Sequence, residues 1–117
     1  MQPKLLTNDL SISPQISTND IAEIKAAGFK SIICNRPDGE AFFGQPAFKD
    51  IEAVAKAAGL SVSYQPIYPG RMTESDAVVF AGSLHAMPKP ILAYCRTGTR
   101  SATLWSQVKA KGLVSAS

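Results

Sequence analysis

Residues 91–101 read ILAYCRTGTRS and carry the most informative pattern in the sequence. The four apolar residues 91–94 predict a short buried strand that runs directly into Cys95. Gly98 allows the backbone of a tight turn, and a helix is predicted to begin at about Arg100. A strand, a glycine turn and a helix in this order are typical of a loop that binds a small anion.

Cys95 is predicted to be a nucleophile, because such a loop meets the conditions that a thiolate needs. Backbone N–H groups and a helix N-terminus favour the thiolate over the thiol. The guanidinium of Arg100 can bind two oxygen atoms at once. The residues predicted to complete the anion-binding loop are Arg96, Thr97, Gly98, Thr99 and Ser101. We expect the hydroxyl of Ser101 to donate a hydrogen bond to the sulfur. The alternative is a structural cysteine, buried as a small apolar residue.

The chain around this loop alternates strands with helices. Strands are predicted over residues 10–12, 31–35, 60–67 and 91–94, and helices over 19–27, 46–58, 73–87 and 100–111. This alternation favours an α/β fold with three layers, α/β/α, around a mostly parallel sheet of four to five strands. Such sheets bind ligands at the carboxyl ends of their strands. The chemistry is therefore expected in the loops 36–40, 68–72 and 95–100.

The composition fits a single globular domain over residues 1–117. Apolar residues make up 45% of the chain, and the net charge of +3 includes no dense basic stripe, so we expect no nucleic-acid partner. The longest apolar run, residues 77–81, is too short to span a membrane, and no signal peptide is apparent. Two cysteines without metal-ligand spacing predict a cytoplasmic protein that needs no metal or other cofactor. A small anionic substrate suits the mild positive charge.

Four further segments match one known family together with the Cys95 loop. They are SPQ at 13–15, NRPDGE at 35–40, residues 64–69 and the pair Leu104-Trp105. From about residue 10 to 112 the sequence resembles the phosphatase-like domain of the beta-lactamase hydrolase-like family. This resemblance implies the fold of the dual-specificity phosphatases.

The resemblance also places the strand that ends at Cys34 beside the strand that leads into Cys95. Arg36 and Asp38 would then lie close enough to support the active loop, although a surface salt bridge explains Arg36 equally well. Cys34 could form a protective disulfide with Cys95, or it could stay an inert buried thiol. Arg71 could line the same pocket, or it could be an ordinary exposed loop residue.

The length of the loop favours sulfur chemistry. Four residues separate Cys95 from Arg100, one fewer than in the Cys-x5-Arg loop of the cysteine phosphatases, and Tyr94 stands where those enzymes usually carry histidine. The string CRTGTRSA is similar to the active loop of rhodanese-type sulfurtransferases. We therefore expect sulfane sulfur transfer through a Cys95 persulfide. The partners would be a persulfide or thiol donor, a thiol acceptor and a persulfide-oxidising enzyme.

Hydrolysis through a phosphocysteine is the alternative activity. It calls for a general acid, and residues 65–72, where dual-specificity phosphatases carry an aspartate, contain no carboxylate. Glu74 and Asp76 fit better as charges at a helix N-terminus, and Asp38 and Glu40 fit better as turn residues.

A catalytically idle anion-binding or redox module is the third interpretation. The single histidine, His85, lies near the end of a helix whose start faces the expected site. It is therefore not expected to act as a base.

Overall fold

The computed structural model describes residues 2–113 as one sheet between two layers of helices. The strands are β1 (Lys4–Thr7), β2 (Leu10–Ser13), β3 (Ser31–Cys34), β4 (Ser61–Tyr64) and β5 (Ile91–Tyr94). The helices are α1 (Ile21–Ala26), α2 (Phe48–Ala57), α3 (Glu74–Ala86) and α4 (Thr99–Ala110), with a 3₁₀ turn (Thr18–Asp20) before α1. The sheet order is β1-β2-β5-β3-β4, with β1 antiparallel to β2 and the other pairs parallel. The predicted three-layer α/β fold is confirmed.

The two faces of the sheet bury different helices, because successive residues of a strand point to opposite sides. Leu92 and Tyr94 belong to the core that α1 and α2 cover, which includes Ile24 and Ile51. Ile91 and Ala93 face the other way. They join a second core under α3 and α4, with the buried residues Phe80, Leu104 and Val108.

Strand β1 was not predicted from the sequence. Its residues are exposed or only half-buried, so they lack the strict apolar alternation that predicts a strand. The strand lies at the sheet edge and pairs only with β2. A side-chain contact closes the turn between the two strands, in which the backbone N–H of Asp9 donates to Thr7 Oγ1 at 3.0 Å.

Several predicted elements are shorter than expected, and the first residues of the helix predicted over 19–27 form the 3₁₀ turn instead. Helix α2 begins at Phe48 rather than at residue 46, because Ala47 still has an extended backbone. Strand β4 ends at Tyr64 rather than at 67. Beyond Tyr64, the N–H groups of Gln65 and Ile67 donate to the carbonyls of Cys34 and Asn35. The segment therefore stays beside the end of β3, although it is no longer part of strand β4.

The pairing of β3 with β5 prepares one edge of the sheet for the site. Cys34 lies opposite Tyr94 in the register. The next residue, Asn35, donates its N–H to the carbonyl of Tyr94 at 2.7 Å. The chain segments after both strands therefore begin side by side, as the family resemblance implied. No helix within residues 2–113 is long and apolar enough to cross a membrane.

Leu104 lies on the inner face of α4 and is fully buried, so replacing it tests how much the core depends on this helix. We expect Leu104→Ala to lower the free energy of unfolding by about 2–5 kcal/mol, since the truncation leaves a cavity. The exposed Gln107→Ala on the same helix is the control and should change it by less than about 0.5 kcal/mol. Urea denaturation measures both values, and equal losses would contradict this packing.

Candidate active site

Cys95 follows β5 directly and lies at the base of a tight loop. Its side chain is buried, with the residue only 1% exposed. The backbone N–H of Gly98 donates to Cys95 Sγ at 3.0 Å. Gly98 has a φ of +92°, in the left-handed region that favours glycine. A Cβ at this position would approach the Ser13 backbone to 3.6 Å, an ordinary contact, so the demand for glycine comes from the backbone conformation.

The surroundings of the sulfur favour the thiolate. Burial raises the pKa of Cys95, but backbone hydrogen bonds outweigh it and leave the pKa below its ordinary value. The N–H groups that face the sulfur belong to Ser101, Arg100, Thr97 and Gly98. Helix α4 begins within this loop, so the positive end of its dipole acts on the same atom. The predicted N–H concavity is therefore present around Cys95.

The guanidinium of Arg100 is held from the opposite side by Glu40. Arg100 Nη1 donates to Glu40 Oε2 and Nη2 donates to Oε1, both at 2.7 Å. Nη1 also donates to the carbonyl of Ile67 at 2.8 Å. The hydrogen bonds to Glu40 raise the pKa of Arg100, and the adjacent Cys95 sulfur acts in the same direction. Arg100 thus connects Cys95 with the loop 36–40 and with the residue just before the loop 68–72.

Glu40 is a doubly paired carboxylate. Arg36 Nε donates to Glu40 Oε1 at 3.1 Å, and Arg36 Nη1 donates to Gln15 Oε1 at 3.1 Å. The hydrogen bond from Arg100 lowers the pKa of Glu40 below its ordinary value, although partial burial opposes the effect. Arg36, only 6% exposed, therefore supports the loop through Glu40, as one of the two sequence interpretations proposed.

The hydroxyl of Ser101 does not donate to the sulfur, contrary to expectation. It donates to Asn35 Oδ1 at 2.8 Å, and both residues are fully buried. A hydroxyl has one proton to donate, so only the backbone N–H of Ser101 serves Cys95. Asn35 Nδ2 in turn donates to the carbonyl of Gln65 at 3.1 Å. This link from α4 through β3 to the segment after β4 was missed, and its sequence signal is a polar residue that directly follows a buried strand.

Asp38 supports a helix rather than the anion loop. Its Oδ1 accepts a hydrogen bond from the N–H of Phe48 at 2.8 Å, at the start of α2. Its own N–H donates to the hydroxyl of Tyr64 at 3.0 Å. Of the two interpretations of Asp38, support for the Cys95 loop and a turn residue, these contacts favour the turn residue, because its carboxylate satisfies a free N–H at a helix end.

The remaining predicted loop residues lie around the rim of the site. Arg96, Thr97 and Thr99 are exposed, and the Thr97 hydroxyl donates to Thr99 Oγ1 at 3.0 Å. Arg71 is exposed in the loop after β4, and its guanidinium makes no hydrogen bond or ion pair within residues 2–113. The structure therefore does not tie Arg71 to Cys95.

Cys34 is a free buried thiol, as is Cys95, so the structure contains no disulfide between them. Cys34 Sγ donates to the carbonyl of Arg36 at 3.3 Å, and burial raises its pKa. Tyr94 occupies the position of the phosphatase histidine. It is buried on the α1 and α2 face, and burial raises the pKa of its hydroxyl. Within residues 2–113, no group of three or more His, Cys, Asp or Glu side chains could hold a metal ion.

The fold is that of the protein tyrosine and dual-specificity phosphatases, and the Cys95 loop lies at the carboxyl edge of its sheet. A family model described as "Beta-lactamase hydrolase-like protein, phosphatase-like domain" matches residues 3–112. The chain belongs to this family, which confirms the resemblance seen in the sequence.

Relatives of known sequence or structure agree with this assignment. A beta-lactamase hydrolase-like protein from Agrobacterium fabrum is 35% identical over 105 residues, which cover 90% of this chain and 24% of that protein. The chain thus spans about a quarter of that relative's length. A crystal structure of a candidate phosphatase from Neisseria meningitidis is 37% identical, with a TM-score of 0.86 over 95% of this chain and 78% of that one. The core catalytic domain of the PP-IP phosphatase SIW14 from S. cerevisiae shares the fold at 14% identity, with a TM-score of 0.72 over 97% and 67% of the chains.

The pKa values of the two cysteines are expected to be shifted in opposite directions from that of an ordinary thiol. The pKa of Cys95 is lowered and that of Cys34 is raised, so the thiolate of Cys95 should form first as the pH rises. Ultraviolet absorbance of the thiolate in Cys34→Ala and Cys95→Ala proteins separates the two titrations.

Gly98→Ala should raise the pKa of Cys95. The left-handed backbone costs alanine about 1–2 kcal/mol, so the loop should shift and the N–H donor should move away from the sulfur. An identical Cys95 titration in the Gly98→Ala protein would contradict the role given to this N–H.

Proposed function

We propose that this domain is a cysteine-dependent phosphatase that forms a phosphocysteine at Cys95. The observation that carries the proposal is the Cys95 sulfur held by loop N–H groups beside the Arg100 guanidinium. Support comes from the family, whose domain is called phosphatase-like, and from the related Neisseria structure described as a candidate phosphatase.

The guanidinium of Arg100, although paired with Glu40, still has N–H groups on one edge that can bind a substrate. Three of its five N–H groups donate to Glu40 and to the carbonyl of Ile67. The remaining two, Nε–H and one N–H of Nη2, lie on the same edge of the planar group and have no carboxylate or carbonyl partner within residues 2–113; besides Glu40, the side chain that acts on Arg100 is that of Cys95. That edge has the geometry to bind two oxygens of a phosphoryl group. Glu40 therefore orients Arg100 without using up its substrate-facing donors.

The reaction proceeds by two displacements at phosphorus. The Cys95 thiolate attacks the phosphorus, and the electron pair of the broken P–O bond leaves with the leaving-group oxygen. The loop N–H groups and Arg100 stabilise the charge on the non-bridging oxygens in the transition state. Water then attacks the phosphocysteine, releases phosphate and restores the thiolate.

Sulfane sulfur transfer is the second candidate activity, favoured by the Cys-x4-Arg spacing. The thiolate would attack the sulfane sulfur of a persulfide or of thiosulfate, breaking the donor's S–S bond and releasing a thiolate or sulfite, and a second thiolate would then take the outer sulfur from the Cys95 persulfide. The family's domain is described as phosphatase-like and the related solved structures as phosphatases, so sulfur transfer stands second to phosphate hydrolysis. Because the chain spans about a quarter of its curated relatives, a persulfide-oxidising partner and a cytoplasmic location stay proposals.

Substitution of Cys95 separates the three interpretations. Cys95→Ser should lower the hydrolysis of p-nitrophenyl phosphate by more than about 10³-fold, since the reaction loses its nucleophile. Cys34→Ser is the matched control and should keep most of the activity, because Cys34 lies outside the N–H loop. Assays with thiosulfate and cyanide, and with glutathione persulfide and an acceptor thiol, run in parallel. Thiocyanate or thiol persulfide formation without phosphate release would support sulfur transfer, and no Cys95-dependent turnover of any substrate would support the idle module.

The proposed thiolate mechanism also fixes the direction of the pH dependence. Only the deprotonated Cys95 attacks, and its pKa lies below the ordinary thiol value. With the phosphate substrate fully ionised, kcat/KM should rise with pH through that lowered pKa and then stay level. Gly98→Ala should move the rise to higher pH. A rise at the ordinary pKa of a free thiol would contradict activation by the loop.

A further inference from the structure

Proton donation to the leaving group is the one part of the phosphatase reaction for which residues 2–113 place no carboxylic acid beside Cys95. Breaking the P–O bond places negative charge on the departing oxygen. A positioned carboxylic acid commonly neutralises that charge and accelerates the reaction by about 10²–10⁴-fold. Six carboxylates lie within or next to the loops and helix starts at the carboxyl edge of the sheet: Asp20, Asp38, Glu40, Asp50, Glu74 and Asp76.

Glu40 is the carboxylate that pairs with Arg100 beside Cys95, and its hydrogen bonds hold it in the ionised form. Both of its oxygens accept hydrogen bonds from Arg100 at 2.7 Å, and Oε1 also accepts one from Arg36. A proton on Glu40 would have to displace one of these charged donors. Glu40 is therefore an ionised carboxylate throughout the reaction.

The other five carboxylates lie at helix starts. Asp20 Oδ2 accepts from the N–H of Ser17 before α1, and Asp50 is exposed in the first turn of α2. Asp38 Oδ1 accepts from the N–H of Phe48 at the start of α2, and Asp76 Oδ2 accepts from the N–H of Thr73 at the start of α3. Glu74 pairs with Lys111 on the surface at 2.9 Å. The segment 65–72 contains no carboxylate. The single histidine, His85, is in the last turn of α3, at the end opposite to the loops.

We infer that this site acts on phosphoryl donors whose leaving group departs as a stable anion, without a proton from the enzyme. The inference rests on the proposed function. The substrate class is a phosphate attached to an acidic phenol, a carboxylate or a second phosphate, rather than a monoester of an aliphatic alcohol such as phosphoserine. In the step concerned, the Cys95 S–P bond forms, the P–O bond breaks, and the oxygen keeps the electron pair. No co-reactant is needed, and solvent protonates the released anion later if its basicity requires it.

A series of aryl phosphates that differ only in the acidity of the phenol tests this inference. We expect kcat/KM to fall by more than about 10³-fold as the phenol pKa rises from about 5 to about 10, because no acid compensates for the poorer leaving group. The parameter kcat/KM is the right one, since it reports formation of the phosphocysteine even where its hydrolysis limits kcat. Acetyl phosphate and phosphoserine extend the comparison and should be a good and a poor substrate.

Two variants make the test specific for a hidden acid. Asp38→Asn and Asp76→Asn keep the oxygen that accepts the helix N–H, so both proteins should fold. Each should show the same dependence on phenol pKa as the unchanged protein. A nearly level dependence that becomes steep in either variant would identify that residue as a general acid and overturn the inference.

The outcomes for the inference and for the proposed function are distinct. Cys95-dependent hydrolysis with a nearly level dependence on phenol pKa would overturn the inference and leave the phosphatase in place. The absence of Cys95-dependent hydrolysis for even the most acidic phenol would overturn both.

Discussion

The parallel pairing of β3 with β5 is the constraint on which the site depends. With Cys34 opposite Tyr94, the two strands end together, and their following segments start next to each other at one edge of the sheet. One segment carries Asn35, Arg36 and Glu40, and the other carries Cys95 and Arg100. A shift of the register would separate Glu40 from Arg100 and Asn35 from Ser101, and the anion loop would lose both of its side-chain anchors.

Two kinds of interaction hold the loop in place. The buried hydrogen bond from Ser101 to Asn35 fixes the start of α4 against β3, and an unpaired polar group there would cost about 1–3 kcal/mol. The ion pair of Glu40 with Arg100 fixes the guanidinium in a site of limited exposure, where a bidentate geometry contributes direction as well as energy. Because the side chains of Ser101 and Arg100 are engaged in these contacts, the Cys95 thiolate is stabilised mainly by backbone N–H groups. The same arrangement removes Glu40 from acid catalysis.

Much of the fold could be predicted from the sequence, because apolar patterns and helix end signals are local. Strand β5 and the Thr73 cap of α3 were predicted to the residue, and the Cys95 loop was predicted from its own residue types. Edge strand β1 was missed because an exposed strand has little apolar pattern. The partners Glu40 for Arg100 and Asn35 for Ser101 could not be predicted, since 60 and 66 positions separate them and only the strand register brings them together.

Direct detection of the covalent intermediate tests the account most closely. Rapid acid quenching of the protein during turnover of p-nitrophenyl phosphate, followed by peptide mass spectrometry, measures what is attached to Cys95. We expect one phosphoryl group on the peptide that contains Cys95, and none on that peptide in the Cys95→Ser protein. Steady release of p-nitrophenol with an unmodified Cys95 at every quench time, in a protein whose Cys95→Ser variant is equally active, would contradict it.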